Sequence, residues 1–324
     1  MPAGQTVPTN LYSSFDAGSF TSAAVNHEDL ADVVTILDSF QTPMFSSAPK
    51  IRAKDVVHSW TIDTLVSLTG TSATAGSVEG IDFSADALTS PVRLFNVTQI
   101  FQRHVLVSDR ERAAQPAGIR DMYEHQTMKE FKNIARLCES RLWAVTSTGT
   151  ATGAEAATSA PLMAGFRGFG ISTSSSASGG VTTADIVSLS QTLFENGAEP
   201  DSIWFAPASK RQFVNATVSS GSGNVRNIAA TDQRLVANID VFETPFNQLY
   251  AVITDRFIPI STYSASGAYY IGDRSMAKIA FFRPPQHKPM GKSGDHTRGI
   301  VLMECTLHLD HPSSWAAMTG VTNG

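Results

Sequence analysis

Between Asp55 and Val107 the chain reads as two long strands parted by a small-residue loop. From Asp55 to Leu65 every second residue (Val56, His58, Trp60, Ile62, Thr64) falls on one face. Val92 to Val107 alternates less cleanly, with Leu94 and Ile100 on one face and Phe95, Val97 and Phe101 on the other. Val66 to Pro91 is mostly Ser, Thr, Ala and Gly around the island Val78-Glu79-Gly80-Ile81-Asp82. At about 3.3 Å per residue the first strand alone reaches roughly 35 Å, about twice the usual strand length, and an isolated two-stranded ribbon is marginal in water. Such a ribbon must lie on something. No third strand or helix of matching apolar character occurs within 49–107, so the ribbon is expected to work between subunits. Its contact residues are then Trp60, Ile62, Leu94, Phe95, Ile100 and Phe101, whose apolar area is costly to leave wet at about 25 cal/mol per Å².

Composition agrees with a surface consumed by contacts. Charged residues are 16% of the 324, below the usual quarter. The net charge of −5 argues against a dedicated nucleic-acid binder, which needs a basic stripe to displace counterions. The nearest such group, Arg103-His104 with Arg110 and Arg112, is interrupted by Asp109 and Glu111. Cys138 and Cys305 fall inside a predicted helix and a predicted strand, as buried thiols of a reducing compartment do. No apolar run approaches the roughly 20 residues of a membrane-crossing helix. Residues 1–24 lack a charged-then-apolar leader pattern. No membrane partner and a cytoplasmic site of synthesis are expected.

Residues 1–25 read as an extended arm, followed by a short helix through Leu30, Val33, Val34 and Leu37, capped by Asn26 or Asp29 and stopped at Thr42-Pro43. After Pro116 and Gly118 comes a long helix, Ile119 to about Trp143. Ile119, Met122, Phe131, Ile134, Ala135, Cys138 and Leu142 form its stripe, and its length is roughly 37 Å. Ser/Thr/Ala/Gly segments at 146–160 and 172–180 bracket a short piece, Leu162 to Ile171. A more compact unit starts at Thr183: a helix to Asn196, stopped by Gly197, a buried strand at Ser202–Ala206, and a helix near Ser209–Ala216. Ile186, Leu189, Leu193, Trp204 and Phe205 are its expected core. Strands are predicted at 239–243, 249–254, 268–271, 276–282 and 300–309. The order gives an α+β fold.

Chemistry is sparse. Glu304, Thr306, His308 and Asp310 share one face of the last strand, and two carboxylates about a histidine can orient a base or bind a metal. The same alternation is that of a half-buried strand with its polar side out, so a hydrolase using Glu304, His308 and Asp310 stands as the weaker alternative. Gly291-Lys292-Ser293 lacks the glycine five positions earlier that a phosphate loop needs, having Gln286 there. The spacing in Gly165-Phe166-Arg167-Gly168-Phe169-Gly170 is wrong for a dinucleotide fingerprint and reads as a turn with packed aromatics. No catalytic residue, cofactor or metal is expected.

Taken in order, these pieces resemble the tailed-bacteriophage major capsid (major head) proteins of the Hong Kong 97 fold. The likeness rests on Glu28-Asp29-Leu30 with Asp32 to Leu37, Thr42-Pro43-Met44-Phe45, His58-Ser59-Trp60-Thr61-Ile62-Asp63-Thr64-Leu65, Val78-Glu79-Gly80, and Arg93 with Asn96-Val97-Thr98-Gln99-Ile100. It continues through Lys129-Glu130-Phe131-Lys132, Asp240-Val241-Phe242-Glu243-Thr244-Pro245-Phe246, Asp255-Arg256, Gly272-Asp273, Gly294-Asp295 and Glu304-Cys305-Thr306-Leu307. The resemblance implies an N-terminal arm (1–48), an extended loop (49–107), a peripheral domain with a long spine helix (108–182 and 268–324) and an inserted axial domain (183–267). It implies a non-enzymatic subunit that self-assembles through hexamers and pentamers into an icosahedral virion shell in the host cytoplasm. A portal, and scaffold or decoration proteins, are its implied partners, with packaged DNA touched only through non-specific proximity. An encapsulin-type compartment shell is the nearest alternative of the same fold.

Overall fold

The computed structural model describes residues 40–65, 79–80, 89–114, 119–144, 161–176, 180–219, 239–259 and 268–321. The predicted helix through Leu30–Leu37, the arm before residue 40 and most of the loop tip at 66–88 lie outside the described residues.

In chain order the elements are α1 (Pro43–Ser47), β1 (Lys50–Arg52), β2 (Val57–Ile62), β3 (Val92–Val97), β4 (Gln99–Ser108), α2 (Asp109–Ala113) and α3 (Met122–Leu142). Next come β5 (Ser172–Ser175), α4 (Thr183–Glu195), β6 (Ser202–Phe205), α5 (Pro207–Ser219), β7 (Val241–Glu243), β8 (Leu249–Thr254) and β9 (Ala268–Gly272). The chain closes with β10 (Ala277–Met290), β11 (His296–Leu309) and β12 (Trp315–Thr319). A four-stranded sheet runs β1-β10-β11-β4, a six-stranded sheet runs β5-β12-β9-β6-β8-β7, and β2-β3 form a separate pair.

The ribbon is shorter than the alternation predicts. Val92–Val107 is not one strand: Thr98, buried and donating its hydroxyl to Glu304 Oε1 at 2.8 Å, breaks it. Val92–Val97 stays with the ribbon, pairing antiparallel with Val57–Ile62. Gln99–Ser108 leaves it to pair antiparallel with β11 from Cys305 to His296. At the other end β1 pairs parallel with β10. The ends of 49–107 therefore belong to the sheet of their own chain, and the two-stranded part is confined to 57–62 and 92–97.

Asp121 starts the spine helix α3 by accepting from Tyr123 N at 2.9 Å, which places Ile119 before the helix because a capping residue is itself non-helical. Ile134, Cys138, Glu139 and Leu142 are its buried residues. Its apolar side lies on β4 and β11, where Phe101, Val105, Val107, Val301 and Met303 make the core. Ala277–Met290 and His296–Leu309 form one long hairpin, in which both strands run well beyond the 276–282 and 300–309 expected from the sequence. Pro284 and Pro285 fall in the register shift between Arg283 and Gln286, a bulge in which proline's missing N–H is tolerated, and Pro289 pairs in register with Gly299 beyond the stretch that β1 covers.

The second layer is α4 against the six-stranded sheet. Thr182 caps α4 by accepting from Asp185 N at 3.1 Å, and Gly197 ends it at φ 78°, a conformation that costs a glycine little. Ile186, Leu189, Leu193, Ile203 and Phe205 pack together there. Trp204 does not join them. Adjacent strand residues point to opposite faces, so Trp204 belongs to the other core, 5.5 Å from Trp143. The sheet also reaches outside 183–267, taking β5 from before that stretch and β9 and β12 from after it. Where the layers meet, Phe166 stacks between Trp143 (4.9 Å) and Trp315 (4.3 Å). This is the aromatic turn read from Gly165–Gly170. Gly272 lies directly under Trp315: a Cβ there would run into the indole.

Candidate functional site

The polar face of β11 is the first place to look for chemistry. The alternation expects it to be wet. Instead Glu304 is 4% and Thr306 0% exposed, because the ribbon of the same chain folds over it. His58 Nε2 and His308 Nδ1 share a hydrogen bond at 2.8 Å, and His308 Nε2 bonds Asp310 Oδ1 at 2.7 Å. Lys278 Nζ donates to Asp310 Oδ2 at 2.5 Å. Trp60 lies over the His308 ring at 4.2 Å and near Phe169 at 5.7 Å. On the neighbouring rung Glu304 accepts from Thr98 at one oxygen and from Arg283 Nε, at 2.6 Å, at the other.

That arrangement fastens rather than reacts. Both nitrogens of His308 are occupied, and each oxygen of Glu304 is tied to a neighbouring side chain, so the two groups hold their own chain together rather than aim at a substrate. Burial lowers the His58 pKa. Burial also leads in lowering that of His308, against the opposing pull of Asp310. Both rings are neutral at neutral pH. Among the described residues no group of three or more His, Cys, Asp or Glu is placed to hold a metal. The Lys292 of the incomplete phosphate motif donates to Asp109 Oδ2 at 2.6 Å in the hairpin loop.

The remaining candidate is a surface of association. The six expected contact residues do not share one environment. Phe101, 5% exposed, lies in the core under α3, because β4 turns its Phe101, Val105 and Val107 face to the spine helix; it is not available to a neighbour. Trp60, Ile62 and Leu94 are on the inner face of the ribbon and half-buried, Trp60 against Phe169 and His308. Phe95 on the outer face and Ile100 on the far face of β4 are 39% and 43% exposed. Beside these the structure bares apolar residues that the sequence reading passes over: Val57, Val92 and Leu65 on the ribbon, Leu106 on β4 and Met128 on α3. Leu106 follows the same alternation that exposes Ile100 and could have been found from it. Among the described residues the sheets end at β1 and β4 and at β5 and β7, and unpaired edges beside apolar patches, as at β4, are places where chains associate.

Comparison with known proteins adds the context. The family of SU10 major capsid proteins matches residues 7–322. The major capsid protein of Escherichia phage Phieco32 is 22% identical over 328 aligned residues, covering 87% of this chain and 90% of that protein. In structure the chain is similar to the capsid protein of cyanophage A-1(L), with a TM-score of 0.67 at 12% identity over 92% of this chain and 98% of that one. It is also similar to a chain of the holo-SrpI encapsulin complex from Synechococcus elongatus PCC 7942, with a TM-score of 0.58 at 11% identity over 93% of this chain and 94% of that one.

Proposed function

Since the chain belongs to the SU10 major capsid protein family, it is a structural shell subunit of a virion with the Hong Kong 97 fold, and we propose that the outer face of its ribbon binds a neighbouring copy. The observation that carries this reading is the outward apolar pair Val57 and Phe95 on the ribbon, with Ile100 and Leu106 exposed on β4. Closed shells reuse one surface many times, and a chain with few charges and exposed edge strands gains most from doing so. The acidic balance of −5 disfavours tight trapping of the enclosed genome, so DNA is approached without being specifically bound. A portal, with scaffold or decoration proteins, fits the same reading as further partners, with assembly in the host cytoplasm. The domain division offered from sequence is proposed in amended form. The arm keeps its place and the loop is confined to about 53–98, while 50–52 and 99–108 are assigned to the peripheral sheet, and β5, β9 and β12 to the axial sheet.

The encapsulin likeness is one of fold, and the family match favours the phage reading over a compartment shell. Purified protein should form capsomer rings or closed particles by negative-stain microscopy. Phe95→Asp with Leu106→Asp should leave the circular dichroism spectrum unchanged and shift the protein towards monomers in light scattering. Particles as abundant and as stable as wild type from that double variant would remove this face from the contact.

A further inference from the structure

At the end of the spine helix two carboxyl groups face each other away from water: Glu139 is 0% and Asp255 1% exposed. All four oxygens are engaged. Glu139 Oε1 accepts from Met44 N at 2.8 Å and Oε2 from Phe45 N at 2.6 Å. Asp255 Oδ2 accepts from Trp143 Nε1 at 2.6 Å and Oδ1 from Phe257 N at 2.8 Å. Asp255 raises the proton affinity of Glu139 by its hydrogen-bonding proximity and its charge, and a buried pair of this kind is most stable with one proton shared between its carboxyls. Three stretches distant in sequence meet at this pair: α1 through Met44 and Phe45, α3 and its end through Glu139 and Trp143, and the turn after β8 through Asp255 and Phe257.

Arg136 stands over the Phe257 ring at 5.9 Å, Arg141 Nε donates to Met163 O at 3.0 Å, and Lys50 Nζ donates to Ser46 O at 2.9 Å. Arg256 follows Asp255 in sequence. The Cys138 and Cys305 thiols, Sγ to Sγ 3.5 Å, are the other titratable neighbours. The Cys138 thiol is pushed up by its bond to Cys305, by burial and by Glu139. Burial first, then Asp255, push Glu139 up to about 9, and only the amides of Phe45 and Met44 pull it back.

We propose that the Glu139–Asp255 pair is a proton-held clasp, which fastens α1 and the turn after β8 to the spine helix and whose deprotonation releases α1 while both sheets stay formed. Without the proton, two negative charges face each other in a dry site. The least costly relief is withdrawal of α1, five residues long with Met44 as its buried residue. Trp143 and the β8 turn are held by the larger aromatic core. Because the folded-state proton affinity of Glu139 is raised, the clasp is at full strength below the ordinary glutamate value and is lost as pH rises through about 9. The joint lies within one subunit and needs no neighbour.

Hydrogen exchange of the full chain, read as protection factors at about pH 7 and about pH 10.5, tests this. Protection over 42–48 should fall at least about tenfold, while the β10–β11 hairpin keeps its own. Glu139→Gln, which cannot lose the proton, should give a flat profile over 42–48. Should that variant not fold, Asp255→Asn serves, since its amide donates to Glu139 in either state and the dependence should vanish. Should neither fold, the wild-type contrast between 42–48 and the hairpin decides. A wild-type drop of under about threefold, an equal drop in the hairpin, or the full pH dependence surviving in either variant overturns the clasp.

Discussion

At Asn96 one side chain closes the gap left where β4 parts from the ribbon. Its Nδ2 donates to Leu307 O at 2.9 Å and to Ala164 O at 3.2 Å, and its Oδ1 accepts from Ala164 N at 2.9 Å. β4 covers β11 only as far as the Gln99–Cys305 rung, so Leu307 O would otherwise face the interior without a donor. Asn96→Ala should lower stability by about 1–3 kcal/mol in urea unfolding, the cost of buried polar groups left unpaired; no loss would mean that water replaces the amide. Leu193, fully buried in α4, tests the second core: Leu193→Ala should cost roughly 2–5 kcal/mol, and a change under about 0.5 would contradict its burial. Leu193 was legible from helical spacing. Asn96 was not, because a polar residue amid strand alternation looks the same whether it faces solvent or a carbonyl from a distant segment. Glu139 was hidden for a similar reason, since a glutamate beside a helix stripe reads as surface until its partners arrive from 44–45 and 255.

The elements divide along the same line. The spine helix, α4, β6 and β8 carry their periodicity locally, and the sequence reading places them within a few residues. The ribbon, the β10–β11 hairpin and the short strands β1, β5 and β12 depend on partners far along the chain. Small residues of no strong preference (Ser172–Ser175, Ala316-Ala317) become strands because β12 pairs with β5 and β9. The ribbon is fastened to β11 by two neutral histidines, which gives it a pH dependence. Both pKa values are depressed in the folded chain, so this fastening is present above the ordinary histidine value and weakens as pH falls below it. His58 can take a proton on its free nitrogen. A proton on His308 Nδ1 breaks the shared bond. Trp60 fluorescence should therefore change between about pH 7 and about pH 5 in wild type and much less in His308→Gln. Equal profiles in the two would show that the histidines do not hold the ribbon.

For the whole molecule, the ribbon turns its Trp60 face to the chain's own sheet and leaves Phe95 exposed on the other, the face proposed above to meet a neighbouring copy. Deleting Ser67–Leu88, the loop tip, should leave circular dichroism and thermal unfolding of the subunit nearly unchanged but lower the yield or heat resistance of particles. Failure to fold would assign the tip to the subunit core, and particles equal to wild type would remove it from assembly. The sheet orders carry one more consequence, in time rather than space. β11 sits between β10 and β4, and β12 between β5 and β9, so in each sheet a strand near the end of the chain is an interior rung. On the ribosome neither sheet can close until residues 296–319 have emerged. Until then β4 and β5 wait without their partners. The face proposed to meet other copies, which β11 supports from beneath, is complete only after residue 309 has emerged, so chains stopped short of it should be poor substrates for the growing shell.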